Sequence, residues 1–283
     1  TNDLGVMPST SLGLRTLSGI GLVTTGLTGW QEREMPFSTL LWAGSEPDDM
    51  YLLYQMSKPH GPSATINSLV LSAVMRKSAP PMGVAGDSKM SYNLIESRIN
   101  WLARAGQSEA LADLIQKLPE NDHKWDEWQR WLAAYDLLSY HDKVTCNKAE
   151  KKVAEAFDPF WQKTQILCLI IDGEYDTASF AADLLRTSGN EDGLFFDLMD
   201  NLITVGPDGS DSLDNMGDFD EIIDSDALTP LHLSLMDLAK RPIEWQQISV
   251  LPQSMLQANN LVKNTTREAR LAFAMRQILQ QRE

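Results

Sequence analysis

The sequence predicts an all-α fold in which helical hairpins stack into a right-handed α–α superhelix. The first observation is that apolar residues recur at helical spacing of three and four positions along most of the chain after residue 34. The second is that the turns between these stretches are short from residue 91 to residue 189. Short turns force neighbouring helices to run antiparallel, so these helices are expected to form hairpins.

A third observation is the interval between similar turns. Turn sequences end at Gly106, His141 and Gly173, which gives intervals of 35 and 32 residues. A period in the mid-thirties that contains two helices is typical of tetratricopeptide-like repeats. Residues 173–178 also follow a Gly-x-Tyr-x-x-Ala pattern, similar to the one that joins the two helices of that repeat. The hairpins are therefore expected to be tetratricopeptide-like, although the other turns lack most of the Pro and Gly marks of the family.

Composition divides the chain into four segments. Residues 1–34 are rich in Gly, Ser, Thr and Leu and are expected to form an extended arm or linker, with a docking peptide as the alternative. Residues 35–205 are expected to form the helical-repeat body, residues 206–227 an acidic loop, and residues 228–283 a C-terminal helical unit.

Local signals place the helices of the body. Ser45 is expected to cap a helix that has Pro47 in its first turn, and Ser63 to cap the next one. Residues 78–88, which are rich in Pro and Gly, form the following loop. The C-terminal unit begins with the cap and proline at Thr229-Pro230. The remaining apolar stripes lie within residues 94–103, 111–118, 125–138, 146–157, 159–171, 178–185 and 266–281.

The acidic loop carries eight Asp and Glu residues and no Lys or Arg. A calcium loop starting at Asp211 would need an oxygen ligand at its third position and Gly at its sixth. Those positions hold Leu213 and Met216, so the spacing fails. A solvated acidic loop without a metal is the favoured interpretation.

The charge of the chain narrows the class of partner. Its 24 Lys and Arg against 39 Asp and Glu give a net charge of −15. Nucleic acids and anionic membrane surfaces attract clustered basic residues, so both are disfavoured as partners. No apolar run approaches the roughly 20 residues that cross a bilayer. The expected partner is a protein with a neutral or basic surface.

Motifs of catalysis and cofactor binding are missing from the sequence. There is no Gly-x-Ser-x-Gly, no phosphate-binding loop, and no complete dinucleotide motif, since Gly19-Ile20-Gly21 lacks the third glycine. No histidine has another His or Cys at metal-ligand spacing in the sequence, and all four are expected to be structural: His60, His123, His141 and His232. Of these, His232 is expected at a helix start or on the surface. We therefore expect no enzyme activity, no metal and no cofactor.

The two cysteines fall symmetrically about an expected hairpin turn. Cys146 precedes Phe157 by 11 residues and Cys168 follows it by 11, so an antiparallel helix pair places both at one height, roughly 16 Å from the turn. Inward positions of packed helices can meet the Cα separation of about 4.4–6.8 Å that a disulfide needs. A disulfide is favoured over two buried thiols and would indicate an oxidising compartment such as the periplasm.

Tryptophans concentrate in the middle of the chain. Trp125, Trp128 and Trp131 lie three residues apart on one helix, and a spacing of three drifts around the helix surface. Core packing is expected for Trp128 and Trp161. Trp125 or Trp131 is expected to line a groove and bind a partner, because tryptophan is enriched at interface hot spots.

Several stretches together resemble a known group of proteins: residues 40–45, 158–168, 178–189, 195–196 and 229–233. They are similar to uncharacterised alphaproteobacterial proteins that are usually described as exported and helical, over most of residues 36–275. The resemblance implies a helical fold and an exported location, and both cysteines fall inside it. A chain that starts at Thr1 also fits removal of a signal peptide or trimming.

These features favour a non-enzymatic periplasmic scaffold or adaptor whose stacked hairpins offer a surface to other proteins. A component of a cell-envelope machine, such as a flagellar motor or a secretion apparatus, is the expected setting. The alternatives are a helical domain of a cell-wall enzyme, which would need a carboxylate of raised pKa in a cleft, and a periplasmic chaperone with a broad apolar groove.

Overall fold

A computed structural model describes residues 37–38, 40–59, 61, 63–76, 78–84, 88–120, 122–139, 142–205, 228–239 and 252–255. Within those ranges the secondary structure is helical without β-strands, which confirms the all-α prediction. The helices are α1 (Pro47–Met56), α2 (Ala64–Met75), α3 (Lys89–Arg104), α4 (Ser108–Ile115), α5 (Asp126–Leu138), α6 (Asp142–Glu155), α7 (Pro159–Ile171), α8 (Tyr175–Thr187), α9 (Gly193–Val205) and α10 (Pro230–Leu238). The expected arm 1–34, the acidic loop 206–227 and the helix at 266–281 lie outside the described residues.

Several helices start at a residue whose side chain caps the first turn. Ser63 caps α2 as expected, since its hydroxyl accepts a hydrogen bond from the amide of Ile66. The start of α1 differs from the prediction by one residue. Glu46 rather than Ser45 is the N-cap, because Pro47 already has helical geometry and fills the first position.

Two of the three similar turns have the same backbone geometry. Gly106 follows α3 with φ 64°, and Gly173 follows α7 with φ 78°, a conformation that favours glycine. Each glycine amide donates to the carbonyl three residues earlier, at 3.1 Å and 3.0 Å. The next amide, of Gln107 or Glu174, donates to the carbonyl five residues earlier, at 3.0 Å and 2.8 Å. The third turn residue, His141, lies outside the part that the structure describes.

Helices α3 to α10 each pack on their neighbours in the sequence, and a few longer contacts cross the stack. Helix α1 packs on α3, and α7 contacts α9. Helix α10 packs on α9 and also on α5 and α7, which lie far from it in the sequence. Helix α10 therefore packs against two helices that end about 60 to 100 residues before it in the sequence.

Helix α10 is enclosed on all sides. Every residue from Leu231 to Asp237 is buried, whereas a surface helix would bury only one stripe. Leu231, Leu233, Leu235 and Met236 belong to the same apolar core as α3 to α9. The described part of the expected C-terminal unit thus packs into the body. The boundary proposed at residues 206–227 falls outside the described ranges.

Candidate functional site

Helices α6 and α7 form the hairpin that carries the cysteines. Residues 156–158 connect the two helices, as the turn expected near Phe157 requires. The Cα atoms of Cys146 and Cys168 are 5.6 Å apart, and the two sulfur atoms are at disulfide distance. The expected register of the hairpin is confirmed, and the pair ties α6 to α7 across 22 positions of sequence.

Trp125 lies in the core, at the end of a 3₁₀ turn that leads into α5. Its side chain is 1% exposed, and its ring stacks on Tyr92 of α3 with centroids 5.9 Å apart. Lys124 covers the outer face of Tyr92, with its ammonium nitrogen 4.8 Å from the ring centroid. In this conformation Trp125 has almost no surface with which to contact a partner, so its role here is packing between α3 and α5.

Trp131 is half-buried and has a defined partner within the chain. Its ring stacks on Tyr135 with centroids 5.2 Å apart and meets Trp128 edge-on at 6.4 Å. Its indole Nε1–H donates to the hydroxyl of Ser254 at 2.9 Å, which joins α5 to the 3₁₀ turn Gln253–Met255. Trp161 is buried and Trp128 packs against the core, as expected for both. Of the two proposed groove residues, Trp131 is thus the one with exposed surface.

A polar cluster links α7, α9 and α10. The imidazole of His232, on the first turn of α10, lies 3.0 Å and 3.1 Å from the two carboxylate oxygens of Asp192, just before α9. The ammonium group of Lys163 on α7 donates to Asp192 at 2.6 Å. The amide of Phe195 also donates to this carboxylate at 3.2 Å, so Asp192 caps α9. His232 is 2% exposed, which corrects the surface alternative and confirms the helix start.

The charge state of Asp192 follows from these bonds. Partial burial opposes ionisation, but the hydrogen bonds from His232 and Lys163 outweigh it, with smaller help from the amide of Phe195. The pKa of Asp192 is therefore held well below its usual range. The carboxylate is ionised across the physiological range and serves as a fixed acceptor.

The hydrogen bonds of His232 also limit its chemistry. Its Nδ1 accepts from the backbone amide of Thr229 at 2.9 Å and lies 3.0 Å from the hydroxyl of the same residue. Since Nε2 donates to Asp192, both ring nitrogens have partners inside the chain. An acid–base histidine needs one nitrogen within reach of its substrate. This cluster resembles an Asp–His pair in composition, but its geometry is that of a structural link.

Lys163 and Asp192 are not among the functional residues that the sequence predicts. One signal was present: Asp192 stands immediately before an apolar run, where an N-cap residue is expected. A second was the proline at Pro230, which places His232 at the third helical position, the usual partner position of a capping box. Neither signal could have shown that the side chains of Asp192 and His232, which lie 40 positions apart at the starts of two helices, bond to each other.

Two further charged side chains lie between helices, Arg98 buried and Lys148 partly buried. Burial lowers the pKa of Arg98, which lies beside Tyr54, and burial raises the pKa of the Tyr54 hydroxyl to about 12. Burial also lowers the pKa of Lys148 on α6. Lys148 donates to the side-chain carbonyl of Gln129 on α5 and so joins neighbouring helices.

Exposed apolar side chains gather near the start of the described chain. Of the eleven large hydrophobic residues that are exposed in the described ranges, seven lie within residues 40–82: Leu40, Tyr51, Leu52, Met56, Ile66, Leu69 and Met82. We call these seven the N-terminal apolar set. Met56 is 75% exposed and Ile66 61%. Residues 40–82 hold three acidic and three basic residues, so this part of the chain is electrically neutral.

A second exposed apolar pair lies on α8. Phe180 is 72% exposed and Leu184 is 62% exposed. They are four residues apart and therefore adjacent on one helix face. The opposite face of α8 is buried through Ala178, Ala182 and Leu185. The pair thus faces away from the core.

Where the structure describes the chain, no three His, Cys, Asp or Glu side chains are placed to share a metal ion. None of the helices assigned there has the length and apolar character needed to cross a bilayer.

Comparisons of the chain with models of protein families, with curated proteins and with solved structures gave no match.

Proposed function

We propose that this protein is a non-enzymatic scaffold or adaptor that binds other proteins. The observation that carries the proposal is the N-terminal apolar set, which leaves seven large side chains in water on a neutral part of the chain. Scattered single apolar residues are common on protein surfaces, but a concentration of them is a feature of protein interaction sites. Its neutrality favours a protein partner over a nucleic acid.

The polar groups of the described chain support binding rather than catalysis. The buried imidazole of His232 has both of its nitrogens occupied by structural partners, and its carboxylate partner Asp192 has a lowered pKa where a general acid needs a raised one. The alternative of a cell-wall enzyme domain predicts a carboxylate of raised pKa in a cleft, whereas the pKa of Asp192 is lowered.

The periplasm is the proposed compartment. A cysteine pair at disulfide distance is compatible with an oxidising environment, and the resemblance to exported alphaproteobacterial proteins points the same way. We further propose that the hairpins continue as a right-handed tetratricopeptide-like superhelix, which the shared geometry of the turns at Gly106 and Gly173 supports. A cell-envelope machine, such as a flagellar motor or a secretion apparatus, is the proposed setting.

Site-specific photo-crosslinking in the source cells tests the proposal. A photoreactive amino acid at Met56 or Ile66 should give one or a few discrete adducts with other proteins. The matched control is Val144 on α6, which is 68% exposed but lies outside the N-terminal apolar set. Adducts from all three positions alike, or from none, would argue against a specific partner surface. A broad smear of products from Met56 and Ile66 alone would instead support the periplasmic chaperone.

A further inference from the structure

The exposed face of α8 combines apolar and acidic side chains. Phe180 and Leu184 stand on this face, and Asp176 and Asp183 lie one turn away from Phe180 on either side. All four are exposed, as is Glu174 in the turn before the helix. We call these five residues the α8 surface. It is an apolar centre with an acidic rim.

The surroundings of α8 strengthen this negative charge. Residues 159–205, which contain α8 and its neighbours α7 and α9, hold eight acidic and two basic residues, a net charge of −6. Both basic residues already have acidic partners. Lys163 pairs with Asp192, and Arg186 pairs with Asp183 and Asp200. Asp183 of the α8 surface is thus paired with Arg186, whereas Glu174 and Asp176 are exposed and pair with neither of these two cations.

We propose that the α8 surface binds a basic amphipathic helix of a partner protein. The apolar face of such a helix would cover Phe180 and Leu184, and its Lys or Arg residues would pair with Glu174 and Asp176. The proposal rests on the proposed scaffold function and adds a second, chemically distinct surface to the neutral N-terminal apolar set. An adaptor needs at least two such surfaces.

Charge decides between the candidate occupants of this surface. A second copy of the chain packed through the same face would bring two acidic rims together, and like charges in an interface are costly. An anionic membrane would be repelled by the same rim. A basic partner gains attraction at long range, and burial of Phe180 and Leu184 then supplies short-range affinity.

The test uses purified full-length protein and three synthetic peptides of about 18 residues, a length at which helices become stable on binding. The first has Leu and Lys in helical i, i+3, i+4 spacing. The second replaces Lys by Glu. The third has the composition of the first in a scrambled order without an apolar face. Titration calorimetry should detect binding of the first peptide, with affinity that falls as salt is added.

Substitutions on the α8 surface test whether the Leu/Lys peptide binds there. Phe180→Ser with Leu184→Ser should weaken binding of the Leu/Lys peptide by about tenfold or more, as expected for central interface residues. Glu174→Gln with Asp176→Asn should weaken it by about threefold at low salt, because surface pairs contribute modestly. Val144→Ser, which removes an apolar side chain from a helix with four lysines, should change affinity by less than about twofold.

Three outcomes would overturn the proposal. These are equal binding of the scrambled peptide, undiminished binding by the Phe180/Leu184 variant, and no binding of the Leu/Lys peptide by wild-type protein. The scaffold proposal is tested separately, by the discrete adducts expected from photo-crosslinking at Met56 and Ile66. Crosslinks there without peptide binding would remove the α8 surface alone, and peptide binding without crosslinks would remove the N-terminal surface alone.

Discussion

The imidazole Nε2 of His232 donates a hydrogen bond to the carboxylate of Asp192, which lies 40 positions earlier in the chain. This bond joins the first turn of α10 to the N-cap of α9, and Lys163 adds α7 to the same carboxylate. Three helices thus meet at one partly buried carboxylate. The buried position of His232 depends on this group, because the imidazole Nε2 would otherwise be buried without a partner.

Replacing His232 should therefore destabilise the whole domain. His232→Ala removes a buried ring and two hydrogen bonds, and we expect a loss of about 2–4 kcal/mol in the free energy of unfolding. Urea denaturation followed by circular dichroism measures this loss. His123→Ala is the matched control, because His123 also lies near an aspartate at 2.9 Å but its side chain is 96% exposed. The control should stay within about 0.5 kcal/mol of wild type. Equal effects of the two substitutions would contradict the structural role of His232.

The lowered pKa of Asp192 predicts a specific pH dependence. A carboxyl group whose pKa is lower in the folded protein stabilises it above the unfolded pKa of about 3.9. That contribution is lost as the pH falls through the folded pKa. Asp192→Asn should thus reduce stability by about 1–2 kcal/mol near neutral pH, and the gap to wild type should narrow below about pH 4. A gap that stays constant down to about pH 2 would show that the Asp192 charge contributes nothing. Asp197→Asn, at an exposed aspartate on the same helix, serves as the control.

Local features of the fold were predictable from the sequence because they depend on nearby residues. The all-helical class followed from apolar spacing, and the cap at Ser63 from a single side chain. The pairing of Cys146 with Cys168 followed from equal distances to one turn, since a short antiparallel hairpin has few possible registers. The turns at Gly106 and Gly173 were recognised as similar, and their backbones agree.

Features that depend on distant segments could not be predicted in this way. The sequence shows that α10 begins at Pro230, but not that it packs on α5 and α7, because its apolar residues would fit any core. The different burial of Trp125 and Trp131 could not be predicted for the same reason, since both belong to one aromatic run. Trp125 is a core residue that stacks on Tyr92 of α3, whereas Trp131 is half-buried and bonds to Ser254.

Removing the disulfide should lower stability without changing the fold. Cys146→Ala with Cys168→Ala opens a loop that the bond closes over 22 positions, and the chain-entropy model gives about 3 kcal/mol for such a loop. Thermal unfolding with and without reductant measures the effect. Reductant should lower the melting temperature of the wild type towards that of the double variant and leave the double variant unchanged. The bond would be absent in solution if two results were found together. The first is a wild-type melting temperature that equals that of the double variant without reductant, and the second is a wild-type melting temperature that reductant does not change.

Thiol labelling gives an independent measure of the same bond. Protein isolated from its native compartment should take up no alkylating agent when unfolded without reductant, and two equivalents after reduction. Intact mass resolves the difference. Uptake before reduction would remove the physical support for an oxidising compartment, and a cytoplasmic adaptor would then be the better proposal.

The bond from Trp131 to Ser254 predicts an energetic coupling between α5 and the turn at residues 253–255. Trp131→Phe keeps the stacking on Tyr135 and removes only the indole donor, and Ser254→Ala removes the acceptor. A double-mutant cycle on unfolding should give a coupling of about 0.5–1.5 kcal/mol. Trp161→Phe combined with Ser254→Ala is the control and should be additive, because Trp161 packs in the separate cluster with Ala133 and Ala149. Additivity in both cycles would mean that the turn is not held on α5. The indole edge of Trp131 would then be free to contact a partner. That result would favour a role of Trp131 in a partner-binding groove over a role in packing α5 against the turn.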